Sequence, residues 1–296
     1  MGAAALINSL VASGFAGRVY CGVRGPLPSW ASSSSTDGNG TSVRPSAEVE
    51  VLLIDAETSM HLTNYKPSFM LRVLELEPEA SGVVYLDPDV VVKCPWGFVE
   101  DWCRLGIALV ADVSWHLPRS SPVRRRWREL CRTFGFELPD APLDLYCNGG
   151  FLGVARGDAT MLDTWASLID QLRRSGIDDQ TLFEGIRTAP IMGLDQDAMN
   201  MAAMAHAARV SQMGPEAMDF ASGGQVFSHA TGKPKPWEKR FLLRSLRGFP
   251  PTKADLAFLG ACDGPLQPMP SGAVRRRRLA AKAGRVVGTV FRRVDA

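Results

Sequence analysis

The stretch GVVYLDPDVVV, residues 82–92, constrains the fold of this chain more than any other. Two apolar, β-branched runs read as strand, and an Asp-Pro-Asp step interrupts them. Residues two apart on extended chain face the same way, so Asp87 and Asp89 can reach one ion together. Pro88 fixes its own φ and biases Asp87 toward extended geometry. Unpaired carboxylates at the mouth of a buried strand are costly, which calls for a cation. Hard oxygen donors suit Mg²⁺ or Mn²⁺, ions that complete their shell with phosphate oxygens and water. A turn that caps the strand explains the same three residues when they are taken alone.

Around this step the chain alternates short apolar runs with helical periodicity. A helix is expected over 3–13, then the β-rich RVYCGV, a Ser/Gly-rich loop at 31–46 too polar to pack, and a strand at 49–55. A helix follows over 66–77, then the strand that ends at the acids, another strand over 105–113, and a mobile basic stretch, RSSPVRRRWREL. YCNGGFLGVARGD (146–158) reads as a strand leading to an N-cap at Asp158 and a helix through Leu172; Asp195 to Ala208 is a further helix. Such alternation implies an α/β architecture, a mixed and mostly parallel sheet flanked by helices, with ligands beyond the carboxyl ends of the strands.

Proline and glycine become dense near residue 248, which divides the chain into a catalytic-size domain, 1–248, and a tail, 249–296. In that tail Leu279, Ala283, Val286, Val287, Val290, Phe291 and Val294 fall at helical spacing opposite arginines and Lys282. The pattern is a basic amphipathic helix suited to an anionic membrane surface or a partner chain.

The totals agree with one sizeable core and an appendage: 296 residues, 46% of them apolar, and a net charge of +2 too small to imply nucleic-acid binding. The six cysteines form no CxxC pair, which points to a reducing cytoplasm. The opening MGAAALINSLVASGFAG lacks a basic n-region, and Asn8 and Ser9 interrupt its apolar run, so it reads as a helix rather than a signal peptide. No stretch reaches the ~20 apolar residues of a membrane span, leaving a soluble or surface-attached protein.

HATGKPKPW, residues 229–237, supplies the complement to the acids. A neutral imidazole joining two carboxylates favours Mn²⁺ over Mg²⁺. Gly232 lets backbone amides approach an anion, and Lys235 offers a point charge to a phosphate.

Taken in order, NYKPSFMLRVLELEPEASGVVYLDPDVVV, CNGGFLGV, LDQDAMN and HATGKPKPW resemble the retaining glycosyltransferases of family 8, over about residues 1–240. The most specific element is His-x-x-Gly-x-x-Lys-Pro-Trp, matched by His229, Gly232, Lys235, Pro236 and Trp237. The resemblance implies a GT-A fold, the nucleotide-diphospho-sugar transferase type. It also implies a DxD motif in which Asp87 and Asp89, with His229, hold Mn²⁺ (or Mg²⁺) against the diphosphate of a sugar nucleotide. By the same resemblance Lys235 contacts phosphates, Asn148 and Gly150 face the sugars, and Asp195 and Gln196 flank the donor sugar at the catalytic position. Lys66 occupies a place where the family often has a basic residue near the donor, while Asn200 reads as structural. The family retains configuration by same-face attack of the acceptor hydroxyl, so no covalent nucleophile is assigned. His61, His116 and His206 are assigned nothing.

Family members begin with a strand before the helix that opens this sequence, so that first strand is expected to be missing here. The implied activity is transfer of a hexosyl group from a nucleotide sugar, a UDP-sugar by family habit, to a glycan, lipid-linked or small-molecule acceptor. Two other readings compete. One is a nucleotidyltransferase of related fold using the same acids, weakened by the lack of a Gly-rich phosphate loop near the N-terminus. The other is a catalytically inactive membrane-surface or scaffold protein built on the basic helix.

Overall fold

A computed structural model describes residues 1–31, 35–37, 40–115, 117–139, 143–177, 191 and 193–291. Along the chain its elements are α1 (Gly2–Ala12), β1 (Gly17–Val23), β2 (Ser35–Asp37), β3 (Gly40–Val43), β4 (Val49–Asp55), α2 (Lys66–Leu76), β5 (Gly82–Leu86) and β6 (Val90–Val92). Next come α3 (Trp96–Leu105), β7 (Ile107–Val110), α4 (Pro122–Thr133), β8 (Phe151–Ala155), α5 (Thr160–Arg174) and α6 (Leu194–Ala205). The last are β9 (Val210–Met213), β10 (Phe227–His229), α7 (Phe241–Leu246), α8 (Lys253–Ala261) and α9 (Ser271–Phe291). They form two compact units.

The first unit comprises Met1–Asp55, Pro88–Gly97 and Glu216–Ala296. Its sheet runs β1-β4-β3-β2, with β1 parallel to β4 and the other two pairings antiparallel. The Ser/Gly-rich stretch expected to be a loop is thus in part a hairpin that extends the sheet, with Val43 buried beside Val51; residues 32–34 and 38–39 lie outside the described residues. Serine and threonine pair adequately at a sheet edge, where one buried valine suffices to fix the register.

α1 is buried nearly all round, as an evenly apolar helix must be. The two residues that break its apolar run tie it down. Asn8 Nδ2 donates to the carbonyls of Ala261 (2.9 Å) and Leu266 (2.8 Å), and Ser9 Oγ accepts from Val92 N at 3.0 Å.

α9 forms, and most of the apolar stripe read from the sequence faces outward while a face of small residues packs inward. Val274, Ala281, Gly284 and Gly288 are buried, whereas Leu279 (58%), Val286 (71%) and Val290 (77%) are exposed; Val294 lies outside the described residues. The reason is close approach: a Cβ at Gly284 would meet Ser245 Oγ at 2.7 Å, and one at Gly288 would meet Pro250 at 2.5 Å. Only small residues fit against α7 and the Pro250–Pro251 turn.

The second unit comprises Ala56–Asp87 and Phe98–Pro215. Its sheet runs β5-β8-β7-β9; β8 is antiparallel to both β5 and β7, and β7 is parallel to β9. The mixed character expected from the sequence holds, but antiparallel pairings outnumber parallel ones among the described strands. An apolar run reads alike in either direction when both of its faces are covered. The core beneath this sheet is built from Leu152, Trp165, Leu168, Met199 and Ala202, all essentially inaccessible, each large side chain contributing roughly 1.5–3 kcal/mol.

Two further expectations change here. The stretch taken as mobile is a capped helix: Ser121 accepts from Arg124 N, and α4 buries Arg124, Trp127 and Cys131 at i, i+3 and i+7. Asp158 does not cap α5; it lies in the preceding 3₁₀ turn and binds Arg209 at 3.0 Å, because a partner from distant chain outweighs the local amides.

Candidate metal centre and donor site

β10 pairs antiparallel with β6, setting His229 opposite Val90 and Phe227 opposite Val92. Ala230 N continues the ladder to Asp89 O at 3.1 Å. His229 and Asp89 therefore meet because their strands are bonded together. His229 Nε2 lies 3.3 Å from Asp89 Oδ1, and Lys235 Nζ lies 2.5 Å from Asp89 Oδ2 and 2.9 Å from Ala230 O. Gly232, at φ +72°, turns the chain through a left-handed conformation that brings Lys235 back to the acid. Burial raises the Asp89 carboxyl, but the hydrogen bonds and charges of His229 and Lys235 outweigh it and hold the group below the usual carboxylate range.

Asp87 follows β5 and is separated from Asp89 by Pro88 alone. One ligand atom each from Asp87, Asp89 and His229 lies within 4.8 Å of the others. Two donors on opposite sides of an ion with ~2.1 Å bonds are about 4.2 Å apart, so a small side-chain adjustment suffices to hold one ion. Two carboxylates and an imidazole fit a divalent cation of the Mn²⁺ or Mg²⁺ kind.

In the second unit Asp87 belongs to another cluster. Tyr85 Oη donates to Asp87 Oδ1 at 2.6 Å. Lys66 Nζ bridges Asp87 and Asp195 at 3.2 Å each and donates to Gly149 O at 2.9 Å. Burial pulls the Lys66 ammonium down, but the Asp87 and Asp195 charges more than offset it, and its pKa is raised. The Asp195 position is fixed from behind by Trp165 Nε1, which donates to its carbonyl at 2.8 Å.

Sequence reasoning missed Asp112, just past the end of β7. Its Oδ2 accepts from Asn148 Nδ2 at 2.6 Å and from Gln196 Nε2 at 3.0 Å. Burial raises the Asp112 carboxyl, while the bonds from Asn148, Ser114 and Gln196 carry it below the ordinary range. Gln196 Oε1 accepts from Gly149 N (2.9 Å) and Asn148 Oδ1 from Gly150 N (2.9 Å), so the Asn-Gly-Gly turn and the start of α6 are locked together through Asp112. The signal was available: ADV follows an apolar run, as DPD does, but it is a lone acid.

Thus Asp195, Lys66, Asn148, Gly150 and Gln196 gather in one polar network of the second unit. Asn200 is buried and bonds to both backbone groups of Cys147, as a structural position should. Exposed His61 bonds to Thr63, His206 faces Thr164, and His116 lies outside the described residues.

The fold is that of GT-A glycosyltransferases, mixed α/β with helix-flanked sheets. The chain is similar to the apo structure of WbbM, a bifunctional glycosyltransferase, with TM-score 0.53 and 15% identity over 93% of this chain and 49% of that one, about half its length. It is likewise similar to the galactosyltransferase LgtC in complex with donor and acceptor sugar analogs (TM-score 0.52, 13% identity, 93% of this chain and 95% of that one). An active-site mutant of LgtC gives TM-score 0.51 at 14% identity over 92% and 94%. No family model and no curated protein matches the sequence.

Proposed function

We propose that the protein is a metal-dependent retaining hexosyltransferase of the family 8 type, moving a hexosyl group from a nucleotide sugar, a UDP-sugar, to a glycan, lipid-linked or small-molecule acceptor. One observation carries the reading: Asp87, Asp89 and His229 converge within 4.8 Å in a chain with a glycosyltransferase fold. A divalent cation, Mn²⁺ or Mg²⁺, offsets the charge that develops on a departing nucleoside diphosphate. With a cation held by Asp87, Asp89 and His229, Lys235 would be placed to hold a phosphate, and Gly232 would keep the backbone beside it open. Asp195 and Gln196 stabilise the oxocarbenium-like sugar, with Asn148 and Gly150 contacting its hydroxyls. Lys66 orients Asp195 and Asp87.

The test is a screen of nucleotide sugars for Mn²⁺-dependent binding and turnover. Asp89→Asn and His229→Ala are each expected to lower metal-dependent turnover about 100-fold or more. Undiminished metal dependence in both variants refutes the site.

For localisation, no helix among the described residues is long and apolar enough to cross a membrane. The outward stripe of α9, Leu279, Val286 and Val290, is flanked by exposed Arg275, Arg276, Lys282 and Arg285. It fits peripheral attachment to the anionic cytoplasmic face of a membrane, each basic residue adding roughly 1 kcal/mol before screening. Val286→Ser with Val290→Ser is expected to reduce sedimentation with phosphatidylglycerol vesicles several-fold; unchanged binding rejects the anchor.

A further inference from the structure

α4 carries five arginines in twelve residues, and the transfer reading uses none of them. Arg124 is fully buried. Its Nη1 donates to the carbonyls of Leu117 (3.3 Å) and Asp144 (3.2 Å), whereas Nε and Nη2 have no acceptor among the described residues. A guanidinium removed from water without a counter-ion costs several kcal/mol. That cost is reduced if an anion arrives.

Arg124 lines a cavity of about 900 Å³ together with Arg119, Arg125, Arg128 and Arg132. The volume is that of a site for a small organic ligand. Arg124, Arg128 and Arg132 recur every four residues, so they share one helix face, where like charges oppose one another. Arg128 Nη2 is tied to Arg119 O at 2.8 Å, which holds two of the five arginines beside each other. Among the described residues none of these five forms a salt bridge, while Arg126, outside the cavity lining, is paired with Glu129 at 2.8 Å. Asp144 also lines the cavity, so among the described residues five guanidiniums face one carboxylate. Leu138, Leu143 and Met204 complete the wall with apolar surface.

Guanidinium forks match the oxygens of phosphate bidentately, a fit that a spherical halide does not offer. The apolar wall suits an organic body attached to that phosphate. A nucleic-acid strand fits poorly, since among the described residues no aromatic side chain lines the cavity to stack a base. We propose that this cavity binds an organic phosphate, a phosphomonoester or phosphodiester, at a site that does not depend on the metal centre.

The test is calorimetric titration of the full chain in chelator, at constant ionic strength, with inorganic phosphate, a hexose 1-phosphate and a short-chain phosphatidic acid, and with chloride as control. An organic phosphate is expected to bind with Kd of about 1 mM or tighter and more tightly than inorganic phosphate; the tighter of the two organic ligands identifies a phosphosugar or a lipid headgroup as the source, and inorganic phosphate binding tightest overturns the organic reading. Replacing Arg124 risks the fold, so the discriminating variant is Arg128→Gln with Arg132→Gln, expected to weaken binding about tenfold or more. Arg126→Gln serves as the matched control and is expected to bind as the parent does. No binding beyond chloride, equal binding in the double variant, an equal loss in the control, or tighter capture of a single-stranded oligonucleotide than of any phosphate each overturns the proposal.

Discussion

Two lysines rest on carboxylates of the acidic motif, and their surroundings give them different jobs. Lys66 is 5% exposed, bridges two acids, donates to a carbonyl and lies 4.9 Å from the Tyr85 ring centroid. Lys235 is 25% exposed, sits on a turn, and shares a single acid with an imidazole. The first is held from every side, and its removal strands two carboxylates. The second has water at hand and one acid besides the Ala230 carbonyl, so it can be exchanged for another cation. Charge pairing alone does not separate a structural lysine from a functional one; burial and the number of partners do.

The widest gap should appear in stability. Lys66→Met is expected to cost about 3 kcal/mol, read as a lowered urea midpoint, since Asp87 and Asp195 then face each other without a cation. A loss no greater than that of Lys235→Met would erase the distinction. For Lys235→Met the expected cost is about 1 kcal/mol, and calorimetry should show Mn²⁺ binding several-fold tighter, because Asp89 loses a competing cation. Weaker binding instead would make Lys235 a support for the site.

Asp112 sharpens the contrast as an acid held by amide donors rather than by a cation. Its folded pKa is depressed, so the unfolded chain binds more protons between about pH 3.9 and that lower value. The stabilisation is complete above about pH 4 and fades as pH falls through the folded pKa. Asp112→Asn should therefore flatten the acid limb of stability by roughly 1 kcal/mol, measured as urea midpoints at pH 5 and pH 3. An unchanged limb would assign acid lability to other carboxylates.

The candidate centre was legible because its residues stand out in the sequence: two acids beside a proline at a strand end, and a histidine in a Gly/Pro-rich run. Asp112 was not, since one acid after one strand is common and only the meeting of three loops gives it partners. α4 was misread because its arginines drown the buried Arg124–Trp127–Cys131 stripe in any averaged pattern. In α9 the sequence marked the apolar stripe but not the face that packs: close packing against α7 selects for small volume, and periodicity of hydrophobicity carries no record of how near a neighbour comes. The edge hairpin was hidden by serine and threonine, which serve turns and strand margins alike.

Asn8 finds its partners at Ala261 and Leu266, more than 250 residues along the chain. During synthesis from the ribosome, everything from Ala56 to Pro215 has emerged before those carbonyls exist. The first unit cannot close around α1 until the segment that carries Ala261 and Leu266 has been translated. His229 also follows the residues of the second unit, so a nascent chain cannot bring the imidazole to Asp89 until that whole unit has been made.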